Sequence, residues 1–343
     1  MKLSFKPYTL ILKHPFTVAA GSRLTTPVVF TEIEHKGITG YGEASMPPYL
    51  GETQESVMNF LSKVNLNKYE NPLEINLILS EIDQIDSGNN AAKAAIDIAL
   101  HDLAGKILNQ PCYQFLGINP KQFPYSSFTI GIDTPEKIRK KIHEAGDFKI
   151  LKIKLGQGDD KKTIETVCSE TDKPFSVDIN QGWKDKHFAL EMIFWLKEKG
   201  AIYIEQPLPK ELINDMAWVT ERSPLPTIAD EAVKRLPDIY KAKDVYHGIN
   251  IKLMKSTGIK EAYEMIKVAR TLGMKTVMGC MSESSCAVSA ASHLSSLIDW
   301  ADLDGACLIK NDLFEGMKII DGRISLNKKA GIGIKYINSP FPI

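Results

Sequence analysis

The sequence predicts a parallel (β/α) barrel preceded by an α+β domain. From Ser126 onward, short β-type runs alternate with amphipathic helical stretches at a spacing of roughly 25 residues. Eight such runs occur, and strands that alternate with helices form parallel barrels whose functional sites lie at the carboxyl ends of the strands. The N-terminal part has another order, because a strand-rich segment is followed there by helices.

The individual elements follow from local patterns. Residues 28–44, VVFTEIEHKGITGYGEA, form a strand-rich meander, and residues 90–108, NAAKAAIDIALHDLAGKIL, are the strongest helical stretch before the barrel. Amphipathic segments such as GIKEAYEMIKVARTLG separate the barrel strands. After about Phe314, GRISL and GIGIKY predict two short strands that return to the first domain. The barrel strands are SSFTIGI, ILKIKL, FSVDIN, YIEQP, PTIADE, GINIKLM, KTVMGCM and DWADLDG.

Two domains are therefore predicted, and no low-complexity linker separates them. The first covers residues 1–120 and is completed by about 314–343, and the barrel covers residues 121–313. A chain of 343 residues, of which 43% are apolar, can bury cores of this size.

Composition narrows the class of function. Lys plus Arg equals Asp plus Glu at 42 each, and no basic cluster occurs, so neither nucleic acid nor an anionic membrane is indicated as a partner. The N-terminus lacks the apolar run of a signal peptide, and no segment is long enough to span a bilayer. The five cysteines are odd in number and lack metal-type spacing, which fits free thiols in a reducing cytoplasm. A small-molecule site is the expectation, and a homo-oligomer is left open.

Polar residues recur at matching places in consecutive strand-helix units. Lys152 and Lys154 alternate with apolar residues in ILKIKL, so they point to the same side of the second barrel strand, which can be the barrel interior. Lys252 lies on the sixth strand, across the barrel. Burying a charge is costly, so two in-phase lysines in such a strand call for a functional reason.

Three carboxylates follow the same logic. Asp178, Glu205 and Asp230 lie near the ends of three successive strands and could converge on one point, where oxygen ligands suit a hard cation such as Mg²⁺. A single acidic residue at a strand end is more often a cap or an ion-pair partner. The joint pattern with the lysines favours a metal-assisted active site.

The motifs LKIKLG, VDINQGW, YIEQP, IADE and NIKLMKSTG resemble the barrel motifs of the enolase superfamily, in the muconate lactonizing enzyme subgroup. The resemblance extends to GYGEA and to the helix of residues 90–108. It implies a (β/α)7β TIM-like barrel with an α+β capping domain made from both ends of the chain. It also implies that Asp178, Glu205 and Asp230 bind Mg²⁺ and that Lys154 and Lys252 form an acid/base pair.

The physical chemistry of proton abstraction agrees with these roles. A proton next to a carboxylate is hard to remove, because the product concentrates negative charge that a divalent cation stabilises. A lysine base working near neutral pH needs a pKa well below its ordinary value of about 10.4, and neighbouring positive charge acts in that direction. We therefore expect Lys154 to be the base, with Lys152 tuning it and binding the substrate carboxylate. A lysine on each face of the substrate would invert the centre.

The last strand suggests the class of substrate. Asp302 and Asp304, in phase in DLDG, could be a turn-forming pair before Gly305, but two carboxylates at an anion site indicate a substrate with an ammonium group. This feature resembles the dipeptide epimerases, in which it binds the N-terminal amine of the dipeptide. Thr129, on the first strand, resembles another of their binding positions.

Selectivity for the second residue should depend on the capping loop HPFTVAAGSRLTTP. Family members acting on Ala-Glu resemble one another in an arginine whose place falls here near Ala20 or Gly21, whereas Arg23 lies slightly later and could be a solvated loop residue. This offset favours Ala-Xaa dipeptides with a small or uncharged second residue, including D-Ala peptides from cell-wall (peptidoglycan) turnover. An L-Ala-D/L-Glu epimerase is the alternative.

Other activities are less consistent with the sequence. The o-succinylbenzoate synthases and N-acylamino acid racemases resemble the chain in the lysines and metal ligands, but their substrates lack the ammonium group that Asp302 and Asp304 would bind. A Schiff-base aldolase would need neither the metal nor the second lysine. A binding protein without activity would not need both lysines and all three carboxylates.

Overall fold

The N-terminal part of the chain is a three-stranded antiparallel sheet followed by helices, as predicted. The computed structural model describes residues 1–19, 21–47, 50–120 and 122–337. The strands pair in the order β1-β2-β3. Lys36 and Gly37, both with positive φ (52° and 81°), make the tight turn between the last two strands. The elements are β1 Lys2–Val18, β2 Gly21–His35, β3 Ile38–Ser45, α1 Gln54–Ser62, α2 Ile75–Asp83, α3 Asn90–Leu108 and α4 Cys112–Phe115.

Helix α3 is the core of this capping domain, and its alanine-rich sequence explains how. It packs on β3 so closely that a Cβ at Gly42 would lie 1.9 Å from the carbonyl oxygen of Ala95. Only glycine on the strand and small residues on the helix permit this approach. Nearly all of α3 is buried, and its C-terminal cap is Asn109, which adopts the left-handed conformation typical of helix ends.

The rest of the chain forms the predicted ring of eight parallel strands joined by seven helices. Neighbours in sequence are neighbours in the sheet, and a parallel bridge between Ser126 and Ala301 brings the first and last strands together. The strands are β4 Ser127–Ile130, β5 Ile150–Lys154, β6 Phe175–Asp178, β7 Ala201–Glu205, β8 Thr227–Ala229, β9 Gly248–Ile251, β10 Lys275–Gly279 and β11 Trp300–Asp302. The helices are α5 Pro135–Glu144, α6 Asp160–Glu170, α7 Lys186–Glu198, α8 Ile213–Arg222, α9 Asp238–Ala242, α10 Ile259–Thr271 and α11 Ser285–Ser292. This order confirms the (β/α)7β barrel with its α+β capping domain.

The C-terminal tail returns to the capping domain. The backbone N–H of Ile332 donates to Asp102 on α3 over 2.9 Å, and that of Cys112 donates to the carbonyl oxygen of Gly331 over 2.8 Å. Short strands of the tail are β12 Phe314–Glu315, β13 Lys318–Ile320, β14 Arg323–Ser325 and β15 Lys335–Tyr336. The domain boundaries drawn from the sequence, 1–120 with 314–343 and 121–313, stay predictions.

One predicted loop is ordered differently. Residues 14–27, expected as a capping loop, belong largely to the paired strands β1 and β2, in which Phe16 lies opposite Arg23 and Thr17 opposite Ser22. Backbone pairing continues to Val18 and Gly21, because Gly21 adopts a positive φ (142°) that suits a hairpin tip. The prediction of a loop was therefore wrong, and strand pairing fixes which face of the hairpin each side chain points to.

Two features outside the sheets also bear on the predictions. Among the described residues, none of the helices combines the length and hydrophobicity needed to cross a bilayer. All five cysteines are free thiols.

Candidate active site

A cavity lies at the carboxyl ends of the barrel strands, under the tip of the β1-β2 hairpin. We call it the barrel cavity. Its wall includes eight of the ten site residues predicted from the sequence: Arg23, Thr129, Lys152, Lys154, Asp230, Lys252, Asp302 and Asp304. The other two, Asp178 and Glu205, are fully buried and contact Lys152, which lines the cavity.

Three carboxylates converge beside this cavity. Asp178 ends β6, Glu205 ends β7, and Asp230 follows β8 directly. In the barrel register Asp178 pairs with Lys154 on one side and with Glu205 on the other, so the side chains share one level of the barrel. One oxygen from each carboxylate lies within 4.8 Å of the others. The strand ends therefore bring together the three predicted metal ligands.

The electrostatics of this triad fit a divalent cation. Burial and the charge of Asp178 raise the pKa of Glu205 to about 8, because three negative charges cannot easily share a dry site. Although Lys152 Nζ lies 2.9 Å from Glu205 Oε2, this buried oxygen accepts no hydrogen bond from any described residue. An all-oxygen donor set with such an oxygen is the coordination that Mg²⁺ prefers.

Lysines approach the triad from two sides. Lys154 Nζ lies 2.5 Å from Asp178 Oδ2, and Lys252 Nζ lies 2.7 Å from Asp230 Oδ2. Burial opposes ionisation, yet Lys154 and Lys152 hold the pKa of Asp178 well below its ordinary range. Lys154 and Lys252 thus flank one metal-type centre, and both line the barrel cavity.

Lys152 has a different environment from Lys154. Its ammonium group lies 2.7 Å from Asp302 Oδ2, in addition to its contacts with Glu205 and Asp178, and its side chain is 1% exposed. Burial alone would favour the neutral amine, but these three carboxylates raise the pKa of Lys152 well above its ordinary value. The carboxylates therefore favour the charged form of Lys152, which joins the triad to the eighth barrel strand.

The predicted ammonium subsite is assembled from two strands. Asp302 Oδ1 accepts from Ser127 Oγ over 2.8 Å, and the backbone N–H of Thr129 donates to Asp304 Oδ2 over 2.6 Å. Thr129 Oγ1 lies 3.3 Å from an oxygen of each aspartate. Of the two aspartates in DLDG, Asp302 ends β11, whereas Asp304 lies just beyond the strand and precedes a 3-10 turn at Gly305–Leu308.

The two aspartates differ in proton affinity. Burial and the charge of Asp302 raise the pKa of Asp304 to about 7. Burial also acts on Asp302, but the Lys152 ammonium outweighs it and keeps the pKa of Asp302 below its ordinary value. Asp302 thus favours its negatively charged form, and the pKa of Asp304 lies near neutral pH. Such a pair of carboxyl groups suits a cationic ligand group.

Arg23 reaches the cavity from the capping domain. Its Nη2 donates to Ser282 Oγ over 3.0 Å, and its guanidinium carbon lies 5.1 Å from the centroid of the Phe16 ring. Phe16, Arg23 and Ser282 all line the barrel cavity. Of the two positions expected for the specificity arginine, Gly21 begins β2, and Ala20 lies outside the described residues.

Several contacts around the triad were not predicted from the sequence. Lys255 Nζ donates to Asp230 Oδ1 (2.5 Å), and Asn250 Nδ2 donates to Glu205 Oε1 (2.8 Å). Gln206, with a positive φ of 39°, accepts from the backbone N–H of Asp230 over 3.0 Å. Lys255 and Gln206 lie in the quoted motifs NIKLMKSTG and YIEQP, but beyond the strand ends the period-two pattern no longer tells which way a side chain points.

Among the described residues, no histidine lines the barrel cavity. His293 follows α11, accepts a hydrogen bond from the backbone N–H of Tyr113 and is buried. Burial lowers its pKa to about 4, so it is neutral and structural.

Family models match both parts of the chain. Residues 6–117 match the mandelate racemase / muconate lactonizing enzyme N-terminal domain, and residues 133–338 match the enolase C-terminal domain-like family. Together these matches cover most of the chain, including every residue of the triad and both flanking lysines.

Individual proteins are similar over nearly the full length. An L-Ala-D/L-Glu epimerase of Bacteroides thetaiotaomicron is 57% identical over 338 residues, which cover 98% of this chain and 88% of that protein. A dipeptide epimerase of Cytophaga hutchinsonii, solved with Mg and D-Ala-L-Val, superposes with a TM-score of 0.91 at 27% identity, covering 98% and 96% of the two chains. A dipeptide epimerase of Enterococcus faecalis, solved with Mg and L-Leu-L-Tyr, gives a TM-score of 0.90 at 30% identity, covering 98% and 99%.

Proposed function

The chain belongs to the mandelate racemase/muconate lactonizing enzyme family of the enolase superfamily, and we propose that it is a Mg²⁺-dependent dipeptide epimerase. The protein is an isomerase, like its relatives. The observation that supports the specific activity best is the position of Lys154 and Lys252 on either side of the triad, in a cavity that also contains Asp302 and Asp304. The reaction inverts the α-carbon of the second residue of an Ala-Xaa dipeptide.

Asp178, Glu205 and Asp230 would hold the cation. When bound, Mg²⁺ stabilises the negative charge that develops on the substrate carboxylate as the α-proton leaves. The neighbouring side chains keep the ligands in place, since Asn250 orients Glu205 and Lys255 orients Asp230.

Two different protons are transferred, one at each flanking lysine. In one direction Lys154 starts as the amine and takes the α-proton from one face, while Lys252 starts as the ammonium and returns a proton to the other face. In the reverse direction the roles exchange. Because removal and return occur on opposite faces, the centre is inverted. Lys152, held as a cation by three carboxylates, adds positive charge where the substrate carboxylate would lie.

The substrate amine would pair with Asp302 and Asp304. Their buried carboxyl groups, ordered by Ser127 and Thr129, provide acceptors for a primary ammonium group. A substrate with an acylated nitrogen would offer these carboxylates no positive charge, at a loss in affinity. This supports a dipeptide over the substrates of o-succinylbenzoate synthases and N-acylamino acid racemases.

For the second residue we propose glutamate. The sequence favoured a small or uncharged side chain, because Arg23 lies later than the expected position. The β1-β2 hairpin, however, gives Arg23 a place on the cavity wall opposite Phe16, where a guanidinium group can pair with a carboxylate. The 57% identical relative is an L-Ala-D/L-Glu epimerase, which supports the same choice. We also propose, as the sequence predicts, that the substrate comes from cell-wall peptides that are broken down in the cytoplasm.

Proton NMR in D₂O with Mg²⁺ tests these proposals. L-Ala-L-Glu should lose the α-proton signal of its second residue and give a new diastereomer. L-Ala-L-Gln, which differs mainly in charge, should react with a higher KM, and N-acetyl-L-Ala-L-Glu, which lacks the ammonium group, should react poorly. Equal turnover of the acetylated dipeptide would contradict the role of Asp302 and Asp304, and equal KM values for Glu and Gln would contradict the role of Arg23.

A further inference from the structure

Arg23 is oriented by a residue of the other domain. Its guanidinium group lies over the Phe16 ring and donates to Ser282 Oγ, 3.0 Å away and 259 residues further along the chain. Ser282 lies in the segment between β10 and α11, at the seventh barrel strand. The hydrogen bond thus joins the hairpin tip of the capping domain to the rim of the barrel.

The segment that carries Ser282 is held in place by two side chains of β3. Ser45 Oγ, on β3, donates to the carbonyl oxygen of Ser282 over 3.0 Å. Glu43, on the same strand, accepts from the backbone N–H groups of Ser284 (3.0 Å) and Ala287 (3.2 Å). All of these side chains are buried. The segment carrying Ser282 is therefore a fixed support, and the strand that fixes it belongs to the same sheet as Arg23.

The barrel packs this segment from its other side. A Cβ at Gly305, which follows the aspartate pair, would lie 2.5 Å from the carbonyl oxygen of Met281. Only glycine allows this approach, so residues 281–284 cannot shift toward the eighth strand without a clash. Ser282 Oγ consequently stays at a defined distance from the ammonium subsite.

We infer that Ser282 is a positioning residue for acidic selectivity, which it sets by holding the Arg23 guanidinium in the barrel cavity. This inference rests on the proposed function, in which Arg23 pairs with the side-chain carboxylate of the second residue. A free arginine side chain samples many rotamers, and its ordering opposes binding. The Ser282 hydrogen bond and the Phe16 ring order it before the substrate arrives, so that its planar donors are already directed at a carboxylate.

The test compares Ser282→Ala with the wild type on L-Ala-L-Glu and on L-Ala-L-Gln. We expect the KM for L-Ala-L-Glu to rise about tenfold, as for loss of a hydrogen bond to a charged group, with kcat changed by less than about twofold. The KM for L-Ala-L-Gln should change little. Ser282→Thr, which retains the hydroxyl group, should restore most of the preference. Ser22→Ala is the matched control, since Ser22 precedes Arg23 in the chain and its hydroxyl accepts from Thr17 Oγ1 at the exposed hairpin tip.

A double-mutant cycle separates positioning from a direct or structural role. In an Arg23→Ala background, Ser282→Ala should add almost nothing to the KM for L-Ala-L-Glu. Additive effects, or a rise in KM that is equal for both dipeptides, would overturn the inference. So would an unchanged preference in Ser282→Ala when the wild type prefers glutamate. If the wild type itself does not prefer glutamate over glutamine, the acidic selectivity in the proposed function fails, and the inference fails with it.

Discussion

Replacing Lys152 by methionine should destabilise the barrel, because it removes the ammonium group that three buried carboxylates share. Nζ lies 2.7, 2.9 and 3.2 Å from oxygens of Asp302, Glu205 and Asp178. At an effective dielectric constant of about 20, the shortest of these pairs has a Coulomb energy of about 6 kcal/mol, which desolvation partly offsets. Removing one partner of a buried ion pair typically costs about 3–5 kcal/mol. We expect Lys152→Met to lose about that much free energy of unfolding.

Urea unfolding in EDTA near neutral pH measures this change. The folded-state pKa of Lys152 is raised above the unfolded value of about 10.4, so its stabilisation is fully present below pH 10 or so and is lost only as pH rises through the folded-state pKa. One free energy describes unfolding where tryptophan fluorescence and far-UV circular dichroism give coincident transitions, so both are recorded.

A matched substitution provides the control. Lys267 pairs with Glu264 over 2.6 Å, but its side chain is 49% exposed, so Lys267→Met should change stability by less than about 0.5 kcal/mol. If both variants lost less than about 1 kcal/mol, the reasoning from buried charge would be refuted.

Three further predictions concern the barrel cavity. Lys154→Ala and Lys252→Ala should each lower epimerisation by at least about 10²-fold, measured by NMR, and leave Mg²⁺ binding measured by calorimetry largely intact, because neither is a carboxylate ligand. The KM for the dipeptide should fall as pH rises through about 7, since the buried Asp304 carboxyl then becomes an anion, and Asp304→Asn should abolish this dependence in a KM-pH profile. Chelation by EDTA should stop exchange of the α-proton, and Mg²⁺ at about 100 times its dissociation constant should add about 2.7 kcal/mol to the free energy of unfolding.

Each of these has a contrary outcome. Normal epimerisation by either lysine variant would refute the two-base assignment. A KM that is flat with pH in the wild type, or that keeps its slope in Asp304→Asn, would mean that another group binds the amine. Full activity in EDTA, with no effect of Mg²⁺ on unfolding, would remove the metal from the reaction.

The triad illustrates what could be predicted from the sequence. Side chains alternate along strands, and parallel strands end at one edge of a barrel, so Asp178, Glu205 and Asp230 were expected to meet. Local patterns were enough, because each residue lies at or directly after the end of its own strand. The lysines on β5 followed from the same period of two.

Contacts beyond the strand ends were not predictable in this way. Gln206 and Lys255 order Asp230 through turns whose backbone conformation, such as the positive φ of Gln206, no periodic pattern specifies. The direction in which the Arg23 side chain points depended on whether residues 14–27 form a loop or a hairpin. A shift of one residue in strand pairing would have turned Arg23 away from the cavity.

By itself, the sequence determined the barrel, the capping domain and the residue types that its strand ends present, because strand periodicity and strand-helix alternation are local properties of the chain. Only the tertiary structure decided which residues of the two domains meet at the barrel cavity. Arg23 and Ser282 meet because β3 fixes the segment after β10, and a contact across 259 residues depends on how two domains pack rather than on any local pattern.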